Sequence, residues 1–239
     1  MTRLFCHDHP DTLQLDATVL KTRPGAVLLS QHPFYPGGGG QLPDRGLVRW
    51  QGGEASVTGF SEEGGALWLL LPDGVEVAGE VRAEADPLFR QCMRELHTDL
   101  HVLNALVFRD FDGALVTGVQ MNADGTARID FDLPDADNDR LRALEPELND
   151  VIAQDLPVLT HHVPLTAAHA EKGLLRSRSV TPPPSPEGLV RVIEIAGLDR
   201  QACGGTHLAS TAASRPLKIL KIENKGRFNR RVRIGLQGA

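Results

Sequence analysis

Up to about residue 85 the chain alternates apolar and polar positions in short runs broken by glycine and proline. Segments 13–20, 26–30, 47–51, 66–71 and 76–82 read as strands, since side chains of an extended chain point to opposite faces in turn. Pro24-Gly25 and Asp73-Gly74 mark turns between them. Strands this short and this closely spaced predict a small N-terminal β-barrel over 1–85. The period changes at Asp86-Pro87. Phe89, Met93, Leu96, Leu100, Leu103 and Val107 then recur at steps of three and four, the stripe of a helix. A hairpin follows, 115–121 and 127–132, turning through Asp124-Gly125. One further helix is expected, capped by Asp137 or Asn138 and carrying Leu141, Leu144, Leu148, Val151 and Ile152 on its apolar face. A strand at 158–163, a short helix near 167–172 and a proline-rich connector at 181–186 lead to the strand-like segments 189–195, 217–223 and 229–236. The last two join at Asn224-Lys225-Gly226, and Arg231 and Arg233 face away from Val232, Ile234 and Leu236. The expected fold class is α+β: the barrel, then over 86–239 a two-layer domain with helices on one face of a mainly antiparallel sheet.

Charge adds a detail that periodicity does not carry. The net charge is −6, yet between Arg215 and Arg233 eight Lys and Arg (215, 218, 221, 225, 227, 230, 231, 233) face a single acid, Glu223. The other 220 residues hold 17 basic and 30 acidic groups, so a basic segment sits on an acidic body. That suits docking against phosphates; a solvated hairpin face explains it equally well. No apolar run approaches the ~20 residues of a membrane span, and the start, MTRLFCHDHPDTLQLD, lacks the pattern of a signal peptide. A cytoplasmic location is therefore expected, with no membrane and no protein partner evident. Three cysteines at wide spacing (Cys6, Cys92, Cys203) argue against a disulfide framework and for a metal ligand or nucleophile.

His97-Thr98-Asp99-Leu100-His101 lies inside the first predicted helix, so its two imidazoles stand one turn apart on one side. Far along the chain, Cys203-Gly204-Gly205-Thr206-His207 offers a thiolate and a third imidazole, with two glycines that permit a tight bend. HxxxH or CxxxH alone is a weak signal. Together they give N, N, N and S donors, the set of a tetrahedral zinc, and one zinc ion is the expected cofactor. The motif is not that of a metalloprotease, because Thr98 stands where the general-base Glu would be. Asp99 points further around the helix and reads as a surface or supporting acid.

These pairs, preceded by Phe34-Tyr35-Pro36 and the glycines ending at Gln41 and separated by Arg128-Ile129-Asp130-Phe131-Asp132, resemble the editing domain of alanyl-tRNA synthetases. They resemble above all its free-standing relatives, the AlaX family of alanyl-tRNA editing proteins. The resemblance covers nearly the whole chain and follows the order of the motifs; Asp99-Leu100 and a fourth glycine depart from the usual pattern. It implies hydrolysis of seryl- or glycyl-tRNA of the alanine type, with an N-terminal barrel (1–85) and a zinc-binding editing domain (86–239). No segment of the 239 residues is left for an aminoacylation domain. The resemblance places the Thr117 hydroxyl close to the aminoacyl group. The hydrogen-bonding capacity of Gln41 and the freedom of Gly38, Gly39 and Gly40 put that loop over the aminoacyl end or the terminal adenosine, with Gln41 and Thr117 as reaction residues. The charge run puts Lys218, Lys221, Arg231 and Arg233 on the tRNA backbone. Gln41→Ala is then expected to slow the reaction with almost no loss of thermal stability. Whether the zinc activates water, expands its coordination or anchors the substrate stays open, because four protein ligands make a closed site. Two rival readings are a zinc hydrolase of another ester or amide, and a non-catalytic RNA-binding module stapled by zinc.

Overall fold

A computed structural model describes residues 4–134, 137–177, 184–185 and 187–238, so most of the expected proline-rich connector lies outside the described residues. The chain divides into two compact units, Met1–Gly38 with Leu42–Gln91, and Gly39–Gln41 with Cys92–Ala239.

The first unit opens with a short helix, α1 (Phe5–Asp8). Its strands are β1 (Gln14–Arg23), β2 (Ala26–Leu29), β3 (Gly46–Trp50), β4 (Gly53–Ser56), β5 (Gly59–Glu63), β6 (Ala66–Leu70) and β7 (Glu80–Ala85). They form one antiparallel sheet in the order β4-β3-β7-β1-β2-β6-β5. Alternation drives it: Val81, Ala83 and Ala85 are buried, while Glu80, Arg82 and Glu84 between them are not. Val27, Leu29, Val48 and Leu69 complete the apolar face. The register slips between Val19 and Lys21 on β1, and such a bulge adds twist, so the sheet curls into a half-barrel. Two strands escaped the sequence pattern. β4 (GEAS) and β5 (GFSEE) hold no β-branched residue and are ordered by pairing with β3 and β6.

The second unit is built around α2 (Pro87–Asp110), whose first residues belong to the first unit. Asp86 caps it, its carboxylate accepting from the N–H groups of Leu88 and Phe89 at 2.9 and 3.1 Å. The predicted stripe is present, but every residue from Met93 to Val107 is buried. A helix enclosed on all sides must find partners for its polar side chains too, and those partners make the site described below. A four-stranded antiparallel sheet runs β13-β14-β9-β8, with β8 (Val116–Met121), β9 (Thr126–Asp132), β13 (Leu217–Lys225) and β14 (Asn229–Leu236). A three-stranded sheet runs β10-β11-β12, with β10 (Val158–Pro164), β11 (Leu189–Ile195) and β12 (Asp199–Ala202). Short α5 (Leu165–Ala170) follows β10. The single helix expected after the β8–β9 hairpin is two, α3 (Asn138–Arg142) and α4 (Glu145–Ala153). Pro146 in the first turn of α4 has no N–H and obstructs the carbonyl four residues earlier, so the helix restarts there. Asp137 caps α3 as expected, accepting from Asp139 N–H at 2.8 Å.

Candidate metal centre

His97 and His101 sit one turn apart on α2, and β12 delivers Cys203 and His207 beside them. The four donor atoms lie within 4.8 Å of one another, and all four residues are buried. Cys203 Sγ is 3.3 Å from both His97 Nε2 and His207 Nε2, and Gly205 N–H points at the sulfur from 3.4 Å. Tetrahedral zinc, with Zn–S about 2.3 Å and Zn–N about 2.0–2.1 Å, holds an S and an N about 3.5 Å apart. The donor set and its spacing fit such an ion, and the group can bind a metal.

A supporting contact behind each imidazole strengthens that fit. Gln41 Oε1 accepts the Thr206 backbone N–H at 3.0 Å, which fixes this atom as the amide oxygen. His97 Nδ1 lies 2.8 Å from the same oxygen and must therefore donate, which leaves the Nε2 lone pair facing the sulfur. His207 Nδ1 is 3.3 Å from Thr98 Oγ1, a hydroxyl that also accepts Leu208 N–H at 3.1 Å. His101 Nδ1 faces Asp199 Oδ2 across 3.6 Å. Asp199 is held in turn by Arg176 at 2.7 Å and by the amide of Gln201, which Asn104 braces at 2.6 Å. Outer partners of this kind orient metal-ligating histidines. The ligand loop has its own clamps: Arg191 Nη1 donates to the carbonyls of Cys203 and Gly205 at 3.0 and 2.8 Å, and Arg94 Nε to that of His207 at 2.6 Å.

Electrostatics follow from this crowding. Burial opposes the Cys203 thiolate, but the surrounding imidazoles, His97 first, outweigh that and hold the thiol well below its ordinary range. Burial also disfavours a charged His101, yet Cys203 and Asp199 carry it up to about 9. Burial and then the nearby His97 drive His207 well below its usual value.

The other expected residues are distributed unevenly. Gln41 does not stand free over a substrate. It is 3% exposed, and its amide donates to Thr206 Oγ1 at 2.8 Å while its oxygen serves His97 and Thr206, an environment in which its loss is expected to cost stability as well. Gly40 has φ +85°, its carbonyl accepts Met121 N–H at 2.8 Å, and a side chain there would collide with the Val119 carbonyl. Gly39 borders open space, and Gly38 belongs to the first unit, where Tyr35 OH donates to its carbonyl at 3.1 Å. Thr117 is half-buried, its hydroxyl turned to Asn229 Oδ1 at 3.0 Å and the Asp130 carbonyl at 3.2 Å. Lys218 and Lys221 are exposed, but Arg231 is held by both Asp130 oxygens at 2.7 and 2.8 Å and Arg233 by Glu223 at 2.7 Å. Asp99 is not a surface acid. It is fully buried and accepts from Ser214 Oγ at 2.8 Å; burial pushes its carboxyl well above the usual range, against that hydrogen bond. Thr98, Arg176, Arg191 and Asp199 were missed by sequence reasoning, and no local spacing singles them out.

Residues 190–233, which include the CxxxH pair, match the family described as "Threonyl and Alanyl tRNA synthetase second additional domain". The alanyl-tRNA editing protein AlaX-M of Saccharolobus solfataricus is 33% identical over 92% of this chain and 92% of its own length. That of Methanosarcina barkeri is 34% identical, again over 92% of each chain. The alanine–tRNA ligase of Korarchaeum cryptofilum is 33% identical over 91% of this chain, which spans 24% of the ligase.

Proposed function

Because the chain belongs to the AlaX-M family of alanyl-tRNA editing proteins, we propose that it acts in trans as a hydrolase on mischarged tRNA of the alanine type, cleaving the ester that joins serine or glycine to the terminal ribose. The observation that supports this reading best is the convergence of four buried metal-ligand side chains, each imidazole braced by a polar partner, in a chain that matches AlaX-M proteins over nearly their full length.

His97, His101, Cys203 and His207 hold one zinc ion. Bound there, zinc supplies a Lewis acid that polarises an ester carbonyl or lowers the pKa of water. The chain's own residues do the positioning. Gln41 keeps His97 in the tautomer whose Nε2 is free to bind, and Thr98 and Asp199 orient His207 and His101. Gly38, Gly39 and Gly40 form the loop we assign to the aminoacyl-adenosine end, with open space beside Gly39. The Thr117 hydroxyl is our candidate for recognising serine, because a site that spares alanine must reward the extra hydroxyl rather than exclude bulk. Lys218 and Lys221 meet tRNA phosphates, and Arg231 and Arg233 join them by sharing with Asp130 and Glu223. Residues 1–85 form a barrel-type domain and 86–239 the editing domain, and the protein works in the cytoplasm. No helix among the described residues is long and apolar enough to cross a membrane.

The deciding assay mixes the protein with seryl-, glycyl- and alanyl-tRNA of the alanine type and follows release of the amino acid. Release of serine or glycine with alanyl-tRNA spared is expected. Intact ester in all three, alongside retained tRNA binding, would leave a zinc-stapled binding module.

A further inference from the structure

The basic segment is smaller in space than along the chain. Arg215 pairs with Glu95 at 2.7 Å, Arg231 with Asp130 and Arg233 with Glu223, and Arg230 is buried. The exposed remainder lines β13 and the turn after it: Lys218, Lys221, Lys225 and Arg227. Lys221 and Lys225 share one carboxylate, Glu223, at 3.3 and 4.0 Å, while Lys218 and Arg227 face no acid among the described residues. The β13 backbone is covered near its start, where Leu217 and Ile219 N–H donate to Asn149 and Glu145 at 2.8 Å, but the side chains of Lys218, Lys221 and Lys225 are exposed along the strand.

At the tip of the β13–β14 hairpin stands Phe228, 56% exposed and the one aromatic among the large apolar side chains left in solvent in the described residues. Gly226, at φ +73°, makes the turn that presents it. The guanidinium of Arg227 lies 5.5 Å from the ring centroid. The tip is anchored from behind, since the Phe228 carbonyl accepts Leu133 N–H at 2.7 Å and Asn224 Oδ1 accepts from Asn138 at 3.2 Å.

The geometry points to a nucleotide-stacking platform: Phe228 and Arg227 receive an unpaired base of the tRNA, while Lys225, Lys221 and Lys218 follow the phosphates that lead away from it. This rests on the tRNA reading above and adds to it a contact with an unpaired base. The chemistry selects RNA over a protein partner, because an apolar ring bordered by lysines suits a π-face flanked by anions, whereas protein interfaces are depleted in lysine. It selects an unpaired base over a helix, because side chains cannot read the deep, narrow major groove of A-form RNA, and a ring stacks only on a base free of its own stack.

The test measures affinity for uncharged tRNA of the alanine type, by anisotropy at several salt concentrations, for the unaltered protein and for Phe228→Ala, Phe228→Leu and Phe228→Trp. Alanine and leucine are expected to weaken binding roughly 5- to 150-fold and tryptophan to preserve it, with the salt dependence unchanged in all three. Lys225→Gln with Arg227→Gln should instead flatten the slope of log K against log salt by ~0.7 per contact. Leucine that binds as well as phenylalanine, or alanine without effect, overturns the platform. So does an altered oligomeric state with tRNA affinity intact, since the tip would then meet protein. An unaltered protein that binds no tRNA overturns it as well. Ester hydrolysis is followed separately on the unaltered protein, and its absence alone sinks the proposed function while the stacking is still read from the affinities.

Discussion

Replacing Gln41 by alanine removes three hydrogen bonds at once: from His97 Nδ1, from Thr206 N–H, and to Thr206 Oγ1. His97 and Thr206 are 6% and 3% exposed, so water has little access to the donors left behind. Each buried donor without a partner costs about 1–3 kcal/mol. Two of them, with some relaxation, give roughly 2–4 kcal/mol, and at about 2–4 °C per kcal/mol for a chain of this size the midpoint should fall by several degrees. His97 also loses the acceptor that fixes its tautomer, so metal affinity should drop about 10- to 100-fold. Gln41→Glu is the matched control. Its carboxylate accepts from the same His97 and Thr206 donors, and the Thr206 hydroxyl reverses to donate, so both stability and metal affinity should stay near those of the unaltered protein. Thermal melts with and without zinc, together with competition against a chelating dye, read the two quantities independently. An alanine variant with an unmoved midpoint and unchanged metal affinity would refute the argument that Gln41 supports the ligands.

Three further outcomes follow from the same geometry. Gly205→Ala drives a methyl group into the His97 ring and should abolish stoichiometric metal, whereas Gly204→Ala, whose methyl meets no heavy atom within 4 Å, should retain it; equal metal content in the two by elemental analysis would count against the site. Asp199→Asn removes the charge that faces His101 and should weaken metal binding about 10- to 100-fold in chelator competition, while a variant with full affinity would reduce Asp199 to a partner of Arg176 alone. Without metal, His101 with a pKa raised to about 9 is protonated at pH 7.5, Cys203 is already thiolate and His207 neutral. Metal uptake at that pH should therefore release the His101 proton, and affinity should climb with pH until about 9. Calorimetry in buffers of different ionisation enthalpy measures the proton, and none released would contradict the assignment.

Sequence alone determined what depends on near neighbours. The helical stripe from Phe89 to Val107, the β8–β9 and β13–β14 hairpins and the Asp137 cap are all written in periods of two or three to four and in turn chemistry, and they stand as read. The ligand pairs were legible for the same reason, since four-residue spacing on a helix and two glycines in a loop are local facts. Segments whose order comes from a distant partner were not. β4, β5 and β12 carry weak strand patterns and exist because β3, β6 and β11 pair with them.

Tertiary structure decided what each polar residue does. Gln41, read as a group awaiting substrate, lies 56 residues from His97 in the chain and is bonded to it; Asp99, read as a surface or supporting acid, is sealed behind Ser214. Asp199 reaches His101 across a still longer stretch of chain, Arg191 clamps the ligand loop from the neighbouring strand, and Arg231 and Arg233 are neutralised by acids that the strand pairing brings alongside them, such as Asp130 opposite Arg231. The physical reason is the enclosure of α2. Periodicity tells which face of a helix is apolar, but once every side is buried each polar group must be satisfied by whatever the fold carries to it, and that identity is a property of the packing rather than of the neighbouring sequence.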